Sequence, residues 1–264
     1  MKTAFHTGFL GHLSAGDAVR LIRDHGYDEA ELNGELLPWT APHVSPQTTG
    51  AERAELAELG PYAALSAHHA AFGSPEPQAR AAAAQHTAEM LRLAADLGIG
   101  HVHVIPGGEA DRSGTFAALE TALAEAERLG ITLSLEVIVN QALAGAADVA
   151  EAVNRLPGLR VNFDASHLQV TDGDVLEAAQ RFAPQTVGVA IKDAVGTPAD
   201  FAFVPLGTGD IDFAALLSTL AAGGFDGSCS VEHESHWFAG DERGPDQVLS
   251  ESKSFLDALL ETLR

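Results

Sequence analysis

The sequence predicts a single (β/α)8 barrel, a TIM barrel of the α/β class, over residues 1–264. Three observations predict it. Short apolar runs alternate with amphipathic helical stretches, and the alternation repeats eight times in 264 residues. Four of the helical stretches stop at a glycine, the residue that most readily takes the left-handed conformation ending a helix. The last inward-facing position of most strands carries an ionisable side chain, the pattern of a barrel whose chemistry sits at its C-terminal mouth. An open doubly wound sheet is the competing topology. Against it, FHTGFLGH (5–12) after the first strand lacks the dinucleotide glycine pattern.

The elements follow in order. The first strand is TAFHTG (3–8), and a helix over 14–25 opens on Ser14 as N-cap and stops at Gly26. The second strand is EAELN (29–33). An irregular segment over 34–50 leads to a helix over 51–59 that stops at Gly60. YAALSAH (62–68) precedes a helix over 77–97 ending at Gly98. HVHVIP (101–106) precedes a helix over 115–129, with Phe116, Leu119, Leu123 and Ala126 on one face and Gly130 after it. ITLSLEV (131–137) is followed by a helix over 146–155, and LRVNFD (159–164) by one over 174–182. TVGVAIK (186–192) leads through an irregular stretch, 193–210, to a helix over 212–222 that Asp210 is expected to cap. GSCSVE (227–232) is the eighth strand. The closing helix, 246–263, carries Val248, Phe255, Leu256, Leu259, Leu260 and Leu263 at helical spacing.

Composition narrows the function classes. With 46% hydrophobic and 20% charged residues, the chain can bury a large core. Fifteen Lys and Arg stand against 37 Asp and Glu, a net charge of −22. Such a surface repels phosphate backbones and anionic bilayers, so neither nucleic acid nor membrane is an expected partner. It favours neutral or cationic ligands unless a bound cation inverts the local field. Cys229 is the only cysteine, which rules out an internal disulfide and suits a reducing compartment. MKTAFHTGFLG (1–11) has no sustained apolar stretch and no run reaches membrane-spanning length, so a cytoplasmic domain is expected.

Strand parity picks out the candidate site. Side chains alternate between barrel interior and helix layer, and the bulky apolar parity is taken as facing the helices. Leu133 and Leu135 then face out while Ser134 and Glu136 face in. Val161 and Phe163 face out while Asn162 and Asp164 face in. Cys229 and Val231 face out while Ser230 and Glu232 face in. Treating every strand this way puts His6, Glu31, His68, His103, Glu136, Asp164, Lys192 and Glu232 at the inner ends. Any one of them is explained as well by a salt-bridged strand end. A whole ring is not, because buried charges are costly unless paired or bound to metal. Glu136, Asp164 and Glu232 held together repel, which raises a pKa or demands a cation. An oxygen-rich set fits Mn²⁺ or Mg²⁺, and nearby imidazole favours Mn²⁺, Co²⁺ or Zn²⁺, with Mn²⁺ the ion expected.

The motifs LSLEVIVN (133–140), FDASH (163–167), AIKD (190–193), PLGTGDIDF (205–213) and GFDGSCSVEHES (224–235) together resemble the xylose-isomerase-like TIM-barrel superfamily. That group of sugar isomerases and epimerases also contains inosose dehydratase, dehydroshikimate dehydratase and the endonuclease IV type of nuclease. The resemblance covers nearly the whole chain. It implies that Glu136, Asp164 and Glu232 bind a divalent metal, that His167 lies close to metal and substrate, and that Glu136 and Glu232 exchange protons with adjacent carbons. It implies Lys192 as an oxyanion partner, and His6, Glu31, His68 and His103 as pocket residues that bind the substrate. The seventh strand departs from the family's His-x-Lys-Asp, since it reads Ala190-Ile191-Lys192-Asp193. Three arrangements follow. Metal is held by three carboxylates with water or His167, or another histidine such as His103 or His68 fills the vacancy, or metal binding is lost and Lys192 supplies the charge. The first is preferred.

The function expected is therefore a divalent-metal-dependent isomerase or epimerase of a small unphosphorylated sugar or polyol ketone, working through an enediolate. The alternative is a dehydratase or lyase acting on a keto-sugar or inosose-like substrate. A non-catalytic sugar-binding relative with a degraded metal site is a third reading, with Ala190 as its support. Trp39, Trp237 and Phe238 are expected to form an apolar wall, with dimer contact as the competing reading, and a homo-oligomer is compatible. Gly207 and Gly209 sit where barrels often hold phosphate, yet a tight turn explains them better. Cys229 has outward parity and reads as a buried strand residue, not as a nucleophile.

Overall fold

In a computed structural model describing residues 1–38, 40–108, 110–238 and 240–263, the alternation of strand and helix closes on itself. The strands in chain order are β1 (Lys2–His6), β2 (Glu29–Asn33), β3 (Tyr62–Ser66), β4 (His101–Val104), β5 (Thr132–Leu135), β6 (Arg160–Asp164), β7 (Thr186–Ile191), β8 (Asp193–Thr197), β9 (Asp200–Val204) and β10 (Ser228–Val231). Eight form a closed parallel barrel in the order β1-β10-β7-β6-β5-β4-β3-β2, and β8 and β9 form a separate antiparallel hairpin. Parallel neighbours require a crossover, and helices supply it. They are α1 (Ala15–Asp24), α2 (Gly50–Leu59), α3 (Pro77–Asp96), α4 (Arg112–Leu129), α5 (Ala146–Arg155), α6 (Ala165–Asp172), α7 (Val175–Phe182), α8 (Phe213–Ala222) and α9 (Pro245–Glu261). Among the described residues no helix is long and apolar enough to cross a membrane.

The core is the annulus between sheet and helices. Leu32, Leu65, Val102, Leu133, Phe163, Val189 and Cys229 point into it and are fully buried, as their apolar parity requires. The Cys229 thiol is pushed up to about 12 by that burial, so it stays protonated and inert. Inside the barrel the same strands present polar side chains, and these pair with each other. His101 Nε2 meets Ser134 Oγ at 2.7 Å, and at the N-terminal end of the barrel the exposed Lys2 pairs with Glu29.

Three local features depart from the sequence expectation. The chain after β6 turns at once into α6, because Asp164 caps it: Oδ1 accepts from Ser166 N at 2.7 Å and from His167 N at 3.4 Å. A short helix was not expected there, since ASHLQVTD has little amphipathic pattern. The stretch 193–210 is not irregular throughout but contains the β8–β9 hairpin, which packs across α6. The N-cap of α8 is Asp212, whose side chain accepts from Ala215 N at 3.0 Å, in place of Asp210. The glycine turn ahead of it wraps a carboxylate: Gly207 N and Gly209 N both donate to Asp193 Oδ2, at 3.0 and 2.9 Å. Those amides are spent on an internal anion, which accounts for the turn without phosphate. A Cβ on Gly209 would collide with Asp193 Oδ1, so glycine is the residue that fits.

Candidate functional site

The C-terminal ends of the strands surround a cavity of about 210 Å³. Its floor is polar, with Glu35, His68, Glu136, His167, Lys192, Glu232 and Glu234, and its rim is apolar, with Leu37, Ile105, Ile138, Val139, Phe201, Phe203 and Trp237. The strand ladder carries the key carboxylates past the formal strand ends. Glu136 N donates to Val104 O at 2.9 Å and Glu232 N to Ile191 O at 3.2 Å, which fixes the height of both side chains above the barrel.

Beneath the floor a hydrogen-bonded layer runs across the barrel. His103 Nε2 lies 2.6 Å from Glu31 Oε1, and His103 Nδ1 lies 3.3 Å from Glu136 Oε2 and 3.1 Å from His68 Nε2. His68 Nδ1 in turn lies 3.0 Å from Glu35 Oε1. Burial alone would strip the proton from His103, but Glu31 and Glu136 outweigh it and hold its pKa well above the ordinary value. Glu31 and Glu35, raised by burial, are drawn down to about 2 by His103 and His68 respectively. Glu136 also accepts from Asn162 Nδ2 at 2.6 Å. Burial pushes its carboxyl up, while the His103 hydrogen bond and the charges of His68, His103 and Lys192 hold it well below the usual carboxylate range.

On the opposite side Lys192 is a hub. Its Nζ lies 2.9 Å from Glu234 Oε2, 3.0 Å from Glu232 Oε2, 3.4 Å from Asp164 Oδ2 and 3.4 Å from His167 Nε2. The Phe203 ring covers it, 4.5 Å from Nζ to the centroid. Burial disfavours the charge, but Glu232, Glu234, Asp164 and Glu136 together keep Lys192 an ammonium. Glu232 is shifted the other way. Burial and its neighbours Glu234, Glu136 and Asp164 overcome Lys192 and raise its carboxyl well above the usual range. Burial lowers His167 and outweighs Asp164, leaving a neutral imidazole with Val139 N at its Nδ1 and with Nε2 turned toward Asp164.

Three groups of side chains among the described residues bring ligand atoms within 4.8 Å of one another: Glu136 with Asp164 and His167, His68 with His103 and Glu136, and His6 with Glu35 and Glu232. The first fits a divalent cation. It offers two carboxylates and a neutral imidazole, and Asp164 Oδ2 is buried without a hydrogen-bond partner. The expected trio of Glu136, Asp164 and Glu232 does not converge as one such group. Glu232 is drawn instead to Lys192 on one side and toward His6 and Glu35 on the other.

The remaining expected residues are placed as follows. His68, His167, Lys192, Glu136 and Glu232 line the cavity; His6, Glu31 and His103 do not, and lie under its floor. His103 lies against Glu136 and His68, Glu31 against His103, and His6 against Ser66 and Glu35. Trp237 lines the rim and is half exposed, Phe238 is buried behind it, and Trp39 lies outside the described residues. Sequence reasoning missed Glu35, Phe201 and Phe203. Glu35 follows β2 in an irregular segment with no period to read, although it is a carboxylate two residues beyond an inward Asn33. The phenylalanines alternate along β9, a signal visible in DFAFV.

The fold has many solved counterparts. The IolI protein with a bound zinc atom is 19% identical, with a TM-score of 0.81 over 100% of this chain and 99% of that one. A D-tagatose 3-epimerase-like protein is 20% identical, with a TM-score of 0.79 over 100% and 98%. The 3-keto-D-glucoside 4-epimerase of E. coli is 18% identical, with a TM-score of 0.79 over 98% and 99%. No curated protein matches the chain by sequence. Barrel closure, the mouth cavity and a family match over residues 19–259 agree: the chain belongs to the xylose isomerase-like TIM barrel family.

Proposed function

We propose that the protein is an isomerase or epimerase of a small unphosphorylated sugar or polyol ketone, moving a proton beside the carbonyl through an enediolate. One observation carries this reading. Two carboxylates on one cavity floor sit in opposite surroundings, Glu136 against His103 and Asn162 and Glu232 among Lys192, Glu234 and Asp164, which push their pKa values apart. Such a split assigns a base and an acid. Glu136 is the ionised base and takes the proton next to the carbonyl. Glu232 holds a proton to deliver to the neighbouring carbon or oxygen. Where no ion occupies its Nε2, His167 hydrogen-bonds a substrate oxygen there, and the Lys192 ammonium faces the developing negative charge. His103 and His68 hold the Glu136 side of the floor in place through the layer beneath it.

A divalent ion held by Glu136, Asp164 and His167 would polarise the carbonyl, and Mn²⁺ suits a mixed carboxylate and imidazole set. The solved neighbours named for epimerisation of keto-sugars, and the one with bound zinc, support the same class. The apolar rim gives a sugar ring a face to stack on.

The test is exchange in deuterated water. Purified protein loaded with Mn²⁺ is incubated with a panel of ketohexoses, ketopentoses and inososes and followed by NMR. Deuterium entering at carbon next to the carbonyl, with an epimer or isomer accumulating, is the expected result. Loss of water from the substrate instead would assign a dehydratase. No exchange with any member would sink the proposal.

A further inference from the structure

One side chain stands where a bound ion would draw its ligands. Lys192 Nζ is within 3.4 Å of Asp164 Oδ2, of both Glu232 and Glu234 carboxylates, and of His167 Nε2. Two of those four groups, Asp164 and His167, belong to the cluster that fits a divalent cation. The lysine reaches this place because of the residue two positions earlier. Ala190 pairs with Asp164 in the β6–β7 register and with Ser230 in the β10–β7 register, and it offers only a methyl group to the barrel interior. Lys192 shares its parity. Its chain is buried, so the ammonium has no solvent to retreat into, and Phe203 closes the space above it.

Two cations cannot share this small volume cheaply. A dication on Asp164 Oδ2 would lie within a few ångströms of the ammonium, where repulsion in a poorly solvated site is large. Asp164 Oδ2 has no hydrogen-bond partner of its own; the ammonium neutralises it at ion-pair distance only. Glu232 Oε2, by contrast, accepts a hydrogen bond from Nζ at 3.0 Å, and Glu234 Oε2 pairs with it at 2.9 Å. Nζ already lies nearer Glu232 and Glu234 than Asp164, so those two groups can keep it if an ion takes Oδ2.

We propose that Lys192 is a tethered cation that competes with a divalent metal for Asp164, so that this chain binds metal weakly and its metal affinity is controlled by the lysine. This rests on the reading of Glu136, Asp164 and His167 as the donor set. The two are separable. The donor set decides whether an ion binds, and Lys192 decides how tightly.

Isothermal titration calorimetry with Mn²⁺ on chelator-treated protein tests it. Lys192→Met removes the competitor but strands the buried Asp164 carboxylate beside the partly buried Glu232 and Glu234, which threatens folding. The pair Lys192→Met with Glu234→Gln removes one charge of each sign and leaves Glu136, Asp164 and His167 untouched. Circular dichroism establishes that it is folded. The expected result is one Mn²⁺ per chain, bound at least about 10-fold more tightly by the pair variant than by the native chain. Equal or weaker binding by a folded pair variant would overturn the competition while leaving the donor set standing. No binding by either protein, with no rise in melting temperature on adding Mn²⁺, would remove the donor set and the competition together.

Discussion

Asp164 has two oxygens with two separate jobs. Oδ1 caps α6 through Ser166 and His167, and Oδ2 is aimed into the site without a hydrogen bond. A residue so used is hard to replace, since Asn would keep the cap and lose the anion. Glu136 and Glu232 diverge in a way that can be measured. Glu136 sits in the cluster with Asp164 and His167, whereas Glu232 is held by Lys192. Glu136→Gln is expected to abolish Mn²⁺ binding, and Glu232→Gln to keep it, by calorimetric titration with Mn²⁺. Both are expected to slow solvent exchange at the substrate carbon by roughly 10²–10⁴-fold, the range for removing a positioned acid or base. Metal retained in full by Glu136→Gln would exclude that carboxylate as a ligand.

At the scale of the element, the β8–β9 hairpin is what turns an open mouth into a cavity. Phe203 packs with Val139, Val170, Ala194 and Phe238 in a small cluster separate from the main core, edge-on to the His167 ring at 5.0 Å. The same ring covers Lys192 and meets Trp237 at 5.9 Å. Phe203→Ala is expected to raise KM more than it lowers kcat, since it opens the wall without touching the carboxylates. Steady-state kinetics on the substrate found by the exchange screen check this. A fall in kcat at unchanged KM would place Phe203 in the chemistry instead. The hairpin itself was absent from the sequence reading because its strands pair only with each other and lie over α6. Their burial depends on where that helix sits, which no local pattern reports.

At the scale of the whole molecule, two buried histidines away from the mouth make stability fall with pH between about 6.5 and 4. Burial holds His43 and His101 down to about 4, from the ordinary value near 6.5. The unfolded chain protonates each near pH 6.5, while the folded chain resists until about pH 4. The unfolded state therefore binds more protons between those values, and stability falls as pH drops through that window, by roughly 1–3 kcal/mol per histidine. Denaturant titrations at pH 7.5 and pH 4.5 measure this. His101→Asn is expected to flatten the slope, because Ser134 keeps a partner while the titrating group is gone. An unchanged slope in that variant and in His43→Asn would assign the loss of stability in this window to other groups.

The order of elements and the inward carboxylates were legible from the sequence because both follow from periods of the backbone. Parity along a strand is a property of its pleat, so Glu136, Asp164 and Glu232 could be assigned to the interior from their apolar neighbours alone. Helix ends were legible where a glycine or a capping side chain marked them, as at Ser14 and Gly130. Which inward groups meet was not legible, because that depends on side-chain reach across a closed barrel. Only the tertiary structure drew Glu232 to Lys192, put His103 between Glu31 and Glu136, and brought Glu35 to His68 from an irregular segment. Charge pairing acts over a few ångströms of space whatever the separation in sequence. The chain alone determined the ring of ionisable residues, and the closing of the barrel decided their partners.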